Sequence, residues 1–169
     1  SSNSFQNSIA VSGILGSSLP LSPAGTNSYS ESYLPGLLFG GGIKYSFSNN
    51  FSLGFYYENT STPHRTKSST SVSFNPVYLE GAISVASTDT QRVFVTAGAG
   101  YSKNKVEQSA SSQEWNGISF IGGGGFEYML NKKFGLEFNL KGFGVLPPNK
   151  GEDVLSFSSF TFIINYYLK

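Results

Sequence analysis

Period-two alternation of apolar and polar residues runs through this chain and constrains its fold more than any other feature. In residues 51–59, FSLGFYYEN, Phe51, Leu53, Phe55 and Tyr57 fall on one face and Ser52, Gly54, Tyr56 and Glu58 on the other. Residues 134–142 repeat it, with Phe134, Leu136, Phe138 and Leu140 set against Gly135, Glu137, Asn139 and Lys141. Successive side chains take opposite faces in a strand, whereas a helix repeats every 3.6 residues. No run of about 18 apolar residues exists, so no transmembrane helix is expected.

Eight such segments can be drawn. They run from about Phe5 to Leu15, Leu37 to Ser48, 51–59, Ser71 to Ser87, Arg92 to Tyr101, Trp115 to Leu130, 134–144 and Ser156 to Leu168. In the first, Phe5, Ile9 and Val11 share the apolar face. In the fourth, Val72 and Phe74 are out of phase with Val77, Leu79, Ile83 and Val85, and Pro76 sits at the change, which predicts a bulge there. The connections alternate in length. Asn49–Asn50, Thr88–Gln91 and Asn131–Lys133 are tight, whereas 16–34, 60–70, 102–114 and 145–155 are long and polar. An up-and-down sheet places all the short turns at one end and all the long loops at the other. The fold predicted is all-β: a single domain over 1–169, forming an eight-stranded antiparallel up-and-down transmembrane β-barrel.

Alternation does not say which face points outward, because a lipocalin-like carrier buries its apolar face and a membrane barrel turns it to lipid. Charge placement decides. Only 12% of residues are charged, against roughly 25% in an ordinary soluble domain. Those in strands, Lys44, Glu58, Glu80, Arg92, Glu127, Glu137, Lys141 and the terminal Lys169, all fall on the polar face. A basic side chain facing lipid at mid-bilayer costs about 2–4 kcal/mol, which explains the uncharged apolar face. As a water-exposed coat the same set would be sparse. The polar face also carries Gly40, Gly42, Gly54, Gly98, Gly100, Gly123, Gly125 and Gly135, as a narrow lumen filled with side chains requires. Lys44, Arg92 and Lys141 are therefore expected to form a lumen ion-pair network with Glu58, Glu80, Glu127 and Glu137, because unpaired buried charge is costly. Tyr45, Phe47, Phe51, Tyr128, Phe134 and Tyr166 lie near the short turns, and Tyr57, Tyr101 and Trp115 near the long loops. These two bands suit the aromatic girdles of a membrane barrel.

The stretch 121–144, IGGGGFEYMLNKKFGLEFNLKGFG, together with RVFVTAGAGY at 92–101, resembles the small eight-stranded outer-membrane β-barrel family that includes OmpX, Ail and the barrel domain of OmpA. The similarity covers essentially the whole chain. The closing segment FTFIINYYLK resembles the terminal strand read by the barrel-assembly machinery, but ends in Lys169 after Leu168 where an aromatic is usual. The resemblance implies residence in the bacterial outer membrane as a monomer, with outer-membrane lipid, lipopolysaccharide and the assembly machinery as partners and a host or extracellular ligand at the loops. The family is functionally mixed, so the fold alone leaves the function open.

Chemistry-bearing residues are few. The single His64, in STPHRTKSST, has Thr66, Ser68 and Ser69 as neighbours, but no acid is placed to orient it as a nucleophile-activating base requires; a solvated loop histidine is the reading preferred. One histidine and no cysteine exclude the usual zinc sets, and Asp89, Glu152 and Asp153 are scattered loop acids. Gly40–Gly42 and Gly122–Gly125 lack the following Lys-Ser/Thr or helix of a phosphate loop. The net charge of +1 speaks against nucleic acid. Residues 1–10 lack the basic start and apolar stretch of a secretory signal, so the chain reads as a mature form. No cofactor, metal or catalytic residue is expected. The leading expectation is a non-enzymatic surface protein whose loops mediate adhesion, host interaction or envelope stability. A narrow channel, opposed by Tyr56, Tyr78 and Phe143 on the lumen face, and a lipid-modifying barrel enzyme are the alternatives.

Overall fold

The computed structural model describes residues 5–21, 33–108, 110–146 and 154–168, with the backbone alone at Gln108, Gln113 and Trp115. It contains eight strands: β1 (Ser8–Leu21), β2 (Gly36–Ser46), β3 (Phe51–Pro63), β4 (Ser71–Ser87), β5 (Gln91–Gln108), β6 (Ser111–Met129), β7 (Phe134–Val145) and β8 (Leu155–Leu168). They form a closed barrel in chain order. Every neighbouring pair is antiparallel, and β8 closes on β1 from Ile9↔Leu168 to Leu21↔Ser156. Closure removes the sheet edge that lipid could not satisfy.

The apolar face points outward. Leu37 is 66% exposed, Val85 65% and Leu140 63%, whereas Lys44, Glu80, Glu127 and Lys141 are each 4% exposed or less. An apolar surface that encircles the molecule exceeds anything a soluble monomer carries, and it rules out the lipocalin-like arrangement. Every strand has at least 11 residues, enough to cross the roughly 30 Å hydrocarbon layer at a tilt.

Three local departures from the sequence expectation have physical causes. Phe5 is not on the outward face. The chain turns at Asn7, whose φ of 52° lies in the left-handed region that asparagine tolerates. Phe5 folds back and is fully buried, and Ser8 Oγ donates to its carbonyl oxygen. Second, no bulge forms at Pro76: β4 stays in register with β5 through Val77↔Tyr101, Pro76↔Ser102 and Asn75↔Lys103, and the shift falls between Ser84 and Ala86. Val72 and Phe74 are simply lumen-facing, each 1% exposed. Third, most of 102–114 is not loop but the extension of β5 and β6 into one hairpin, paired as far as Gln108↔Ser111. The expected loop signal was polarity: Ser102 and Asn104 take buried lumen positions although they are polar, so no apolar face alternates with Lys103 and Lys105. Glu152 and Asp153 in the last expected loop, and Lys169, lie outside the described residues.

Candidate functional site

The lumen is filled in layers. At the short-turn end Phe5, Ala10, Met129 and Tyr167 form a small apolar cluster. The Arg92 guanidinium lies 4.4 Å from the Phe5 ring centroid, so this cluster also covers the charged layer above it. In that layer Lys44 Nζ donates to Glu127 Oε2 at 2.8 Å and Glu137 Oε2 at 2.7 Å. Arg92 reaches Glu127 Oε2 through Nε at 2.8 Å and Nη2 at 2.6 Å. Asn165 Nδ2 donates to Glu127 at 2.7 Å and Glu137 at 2.9 Å, Asn139 Nδ2 to Glu137 at 2.7 Å, and Tyr167 Oη to Glu127. Ser12 Oγ donates to Asn165 Oδ1 at 2.6 Å. Two carboxylates thus accept from donors on four strands, the cations Lys44 and Arg92 among them, the arrangement that makes buried charge tolerable.

A second group is built on β3, β4 and β7. Lys141 Nζ lies 2.9 Å from Glu80 and 3.3 Å from Tyr78 Oη, and Tyr78 donates to Glu58. Of the seven lumen charges named from the sequence, six meet in ion pairs; Glu58 meets a tyrosine instead. Between the two groups lies a cavity of about 10 Å³, lined by Lys44, Ser52, Gly54, Tyr56, Glu80, Ala82, Arg92, Phe94 and Glu137, roughly the room of one water.

Toward the long-loop end the lumen becomes a hydrophobic core. Ile14, Leu38, Val72, Phe74, Ile121, Phe143, Val145, Phe157 and Ile163 pack together with Tyr56 and Tyr78 below and Tyr33 above. Phe74 stacks on Phe157 at 4.2 Å between centroids and meets Phe143 edge-on at 5.2 Å. Sequence reasoning placed Tyr56, Tyr78 and Phe143 here but missed the rest. The available signal was parity: Phe157, Ile163 and Tyr167 share the phase of Ser159, Thr161 and Asn165 in β8.

Glycine makes room for this filling. Tyr56 pairs across from Gly42, Tyr78 from Gly100 and Phe94 from Gly125. A Cβ on Gly54 would come within 2.3 Å of the Tyr56 ring. The ring therefore lies flat over a strip of bare backbone.

On the outward surface Phe47, Phe51, Tyr128, Phe134 and Tyr166 are exposed near the short turns, with Tyr45 half-buried, and Tyr57 and Tyr101 are exposed near the long loops. The backbone of Trp115 pairs with Asn104. Beyond Tyr101 the outward positions turn polar, and the exposed Lys103, Glu107 and Glu114 and the half-buried Lys105 occupy the β5–β6 hairpin. Lys105 sits against Glu107 and lies 3.8 Å from Glu114. The hydrogen bond from Lys105, then its charge, holds the Glu107 carboxyl below the usual carboxylate range, and the same bond raises the Lys105 ammonium.

His64 does not sit in a catalytic arrangement. Its Nδ1 accepts the backbone N–H groups of Thr66 at 3.2 Å and Lys67 at 3.3 Å, and its ring meets Tyr33 edge-on at 5.1 Å. The ring caps the β3–β4 turn. Glu58, the acid nearest to His64 in the sequence, is buried in the lumen.

This geometry defines a class: a small transmembrane β-barrel of eight strands with a filled lumen. The chain belongs to the outer membrane protein beta-barrel domain family, which matches residues 4–167, and its location is the bacterial outer membrane. Among solved structures it is similar to Ail, the attachment invasion locus protein of Yersinia pestis, at 14% identity and a TM-score of 0.63 over 96% of this chain and 99% of that one. Neisserial surface protein A is similar at 12% identity and a TM-score of 0.70, covering 94% and 96%. The N-terminal barrel domain of Pseudomonas aeruginosa OprF is similar at 16% identity and 0.58, covering 95% and 98%. At these identities the likeness is one of fold. No curated protein matches the chain.

Proposed function

We propose that this protein is a non-enzymatic, monomeric surface protein: a sealed barrel that anchors an extracellular sheet and loops for contact with a host or extracellular ligand, or for envelope stability. One observation carries the reading. The lumen is packed from Phe5 to Tyr33, while β5 and β6 continue past Tyr101 with polar side chains on their outward face. A protein built for conduction needs an open path, and one built for catalysis needs a free base; the packing supports neither. The exposed Arg65, Lys67 and Lys103 at the long-loop end suit an anionic ligand. Ail has been solved in complex with the heparin analogue sucrose octasulfate, which makes a sulfated polysaccharide the first ligand class to try. The outward apolar face contacts lipid, with lipopolysaccharide at the outer aromatic band, and β8 is the strand offered to the assembly machinery.

The test is display of the protein on cells that otherwise lack adhesion, with the β5–β6 hairpin shortened between Lys103 and Asn116. Binding to host cells or immobilised heparin should fall at least about tenfold, corresponding to roughly 1.4 kcal/mol, while surface abundance is unchanged. Undiminished binding after the hairpin and the loops are all shortened would overturn the proposal.

A further inference from the structure

The charged groups of the lumen do not balance. Glu58, Glu80, Glu127 and Glu137 face Lys44, Arg92 and Lys141, and all seven are 4% exposed or less. The three cations are committed elsewhere: Lys44 and Arg92 to Glu127 and Glu137, and Lys141 to Glu80. Glu58 makes no ion pair among the described residues. Its Oε1 accepts from Tyr78, and its Oε2 is fully buried with no hydrogen-bond partner. Around it stand Tyr78 and Glu80 of β4, Lys141 of β7 and Tyr56 of β3, with Phe143 packed on the Tyr78 ring at 5.6 Å. A second carboxylate would have to share Lys141 with Glu80 while one of its own oxygens remained bare in an apolar layer. Isolated charge in such a place is resolved by neutralisation.

We propose that this site binds a proton: Glu58 is held as a neutral carboxylic acid at neutral pH, bringing the lumen to zero net charge. A neutral acid keeps the acceptor that Tyr78 needs. Tyr78 in turn accepts from Lys141 at 3.3 Å, so the chain Lys141–Tyr78–Glu58 ends the charged layer and begins the hydrophobic one. The proton is thus a structural part of the seal. A metal cation in its place is disfavoured because the Lys141 ammonium already stands on Tyr78, the partner of Glu58.

Infrared spectroscopy of the refolded barrel in detergent tests this. The wild type at neutral pH should show the C=O stretch of a protonated carboxylic acid, exchanging slowly in heavy water. Glu58→Gln preserves the acceptor for Tyr78 and should abolish that band with its urea unfolding midpoint unchanged or raised, whereas Glu80→Gln should lower the midpoint. Tyr78→Phe, which removes the donor, should move the band to higher frequency and keeps the assignment accessible if Glu58→Gln does not fold. The proposal fails if the wild type lacks the band. It also fails if Glu58→Gln lowers the midpoint as much as Glu80→Gln, or if the midpoint depends on sodium and that dependence disappears in Glu58→Gln.

Discussion

At the scale of single residues, the lumen pairs large rings with missing side chains, and the two can be tested together. The three atoms nearest a Cβ on Gly54 all belong to the Tyr56 side chain, at 2.3 to 2.6 Å, whereas a Cβ on Gly42 also meets the Phe55 carbonyl oxygen at 2.3 Å. Gly54→Ala should therefore destabilise by about 1–3 kcal/mol, and most of that cost should vanish in a Tyr56→Ala background. Gly42→Ala should not be rescued, because the backbone oxygen remains. Urea unfolding of the two double-mutant cycles measures both couplings. Lys44→Met should cost about 3–5 kcal/mol, since it removes the ion pair of Glu137 and leaves Arg92 as the cation paired with Glu127; a shift below about 1 kcal/mol in the same assay would show that the carboxylates relax. The phase of each charged residue was legible in the sequence because alternation assigns every strand position to a face. The partner of each was not, because pairing depends on barrel stagger: Glu58 lies on the correct face yet reaches a tyrosine. Phe5 was misplaced because parity cannot be counted through the turn at Asn7.

At the scale of elements, strands were visible where lipid demands an apolar face and invisible where it does not. The spans of β4 and β7 were close to the expected ones, but β5 runs seven residues beyond Tyr101 to Gln108, through a segment whose composition alone suggested a loop. Lys105, paired with Glu107 on its own strand and 3.8 Å from Glu114 across the hairpin, is expected to help order it, with a pH dependence of definite sign. Glu107 is depressed, so its contribution is present above the ordinary carboxylate range and is lost as pH falls through the lowered value; Lys105 is raised, so its contribution is lost only on the alkaline side. Amide exchange at Lys105 and Glu114, paired across the hairpin, should be slower near neutrality than at pH of about 3, after correction for intrinsic rates. Equal protection at both would show that the pair does not order the hairpin.

For the whole molecule, a lumen closed by two apolar clusters and a charged layer should pass no steady current. Planar-bilayer recordings of the purified protein should show no sustained conductance, and long-lived open levels would contradict the packing. The barrel should fold only with detergent or lipid and migrate differently on unheated and heated gels. A monodisperse folded protein in plain buffer would refute the outward apolar face.

The charged layer also dictates an order of events. Ser12, Lys44, Arg92, Glu127, Glu137 and Asn165 come from β1, β2, β5, β6, β7 and β8, so no open, partly paired sheet can satisfy them. Until β8 meets β1, these groups need water or a protein surface beside them. Insertion strand by strand into bare lipid would strand charge in hydrocarbon at every step. Biogenesis of this chain is therefore expected to be all-or-none, with closure at the β1–β8 seam accompanying the final loss of water from the lumen.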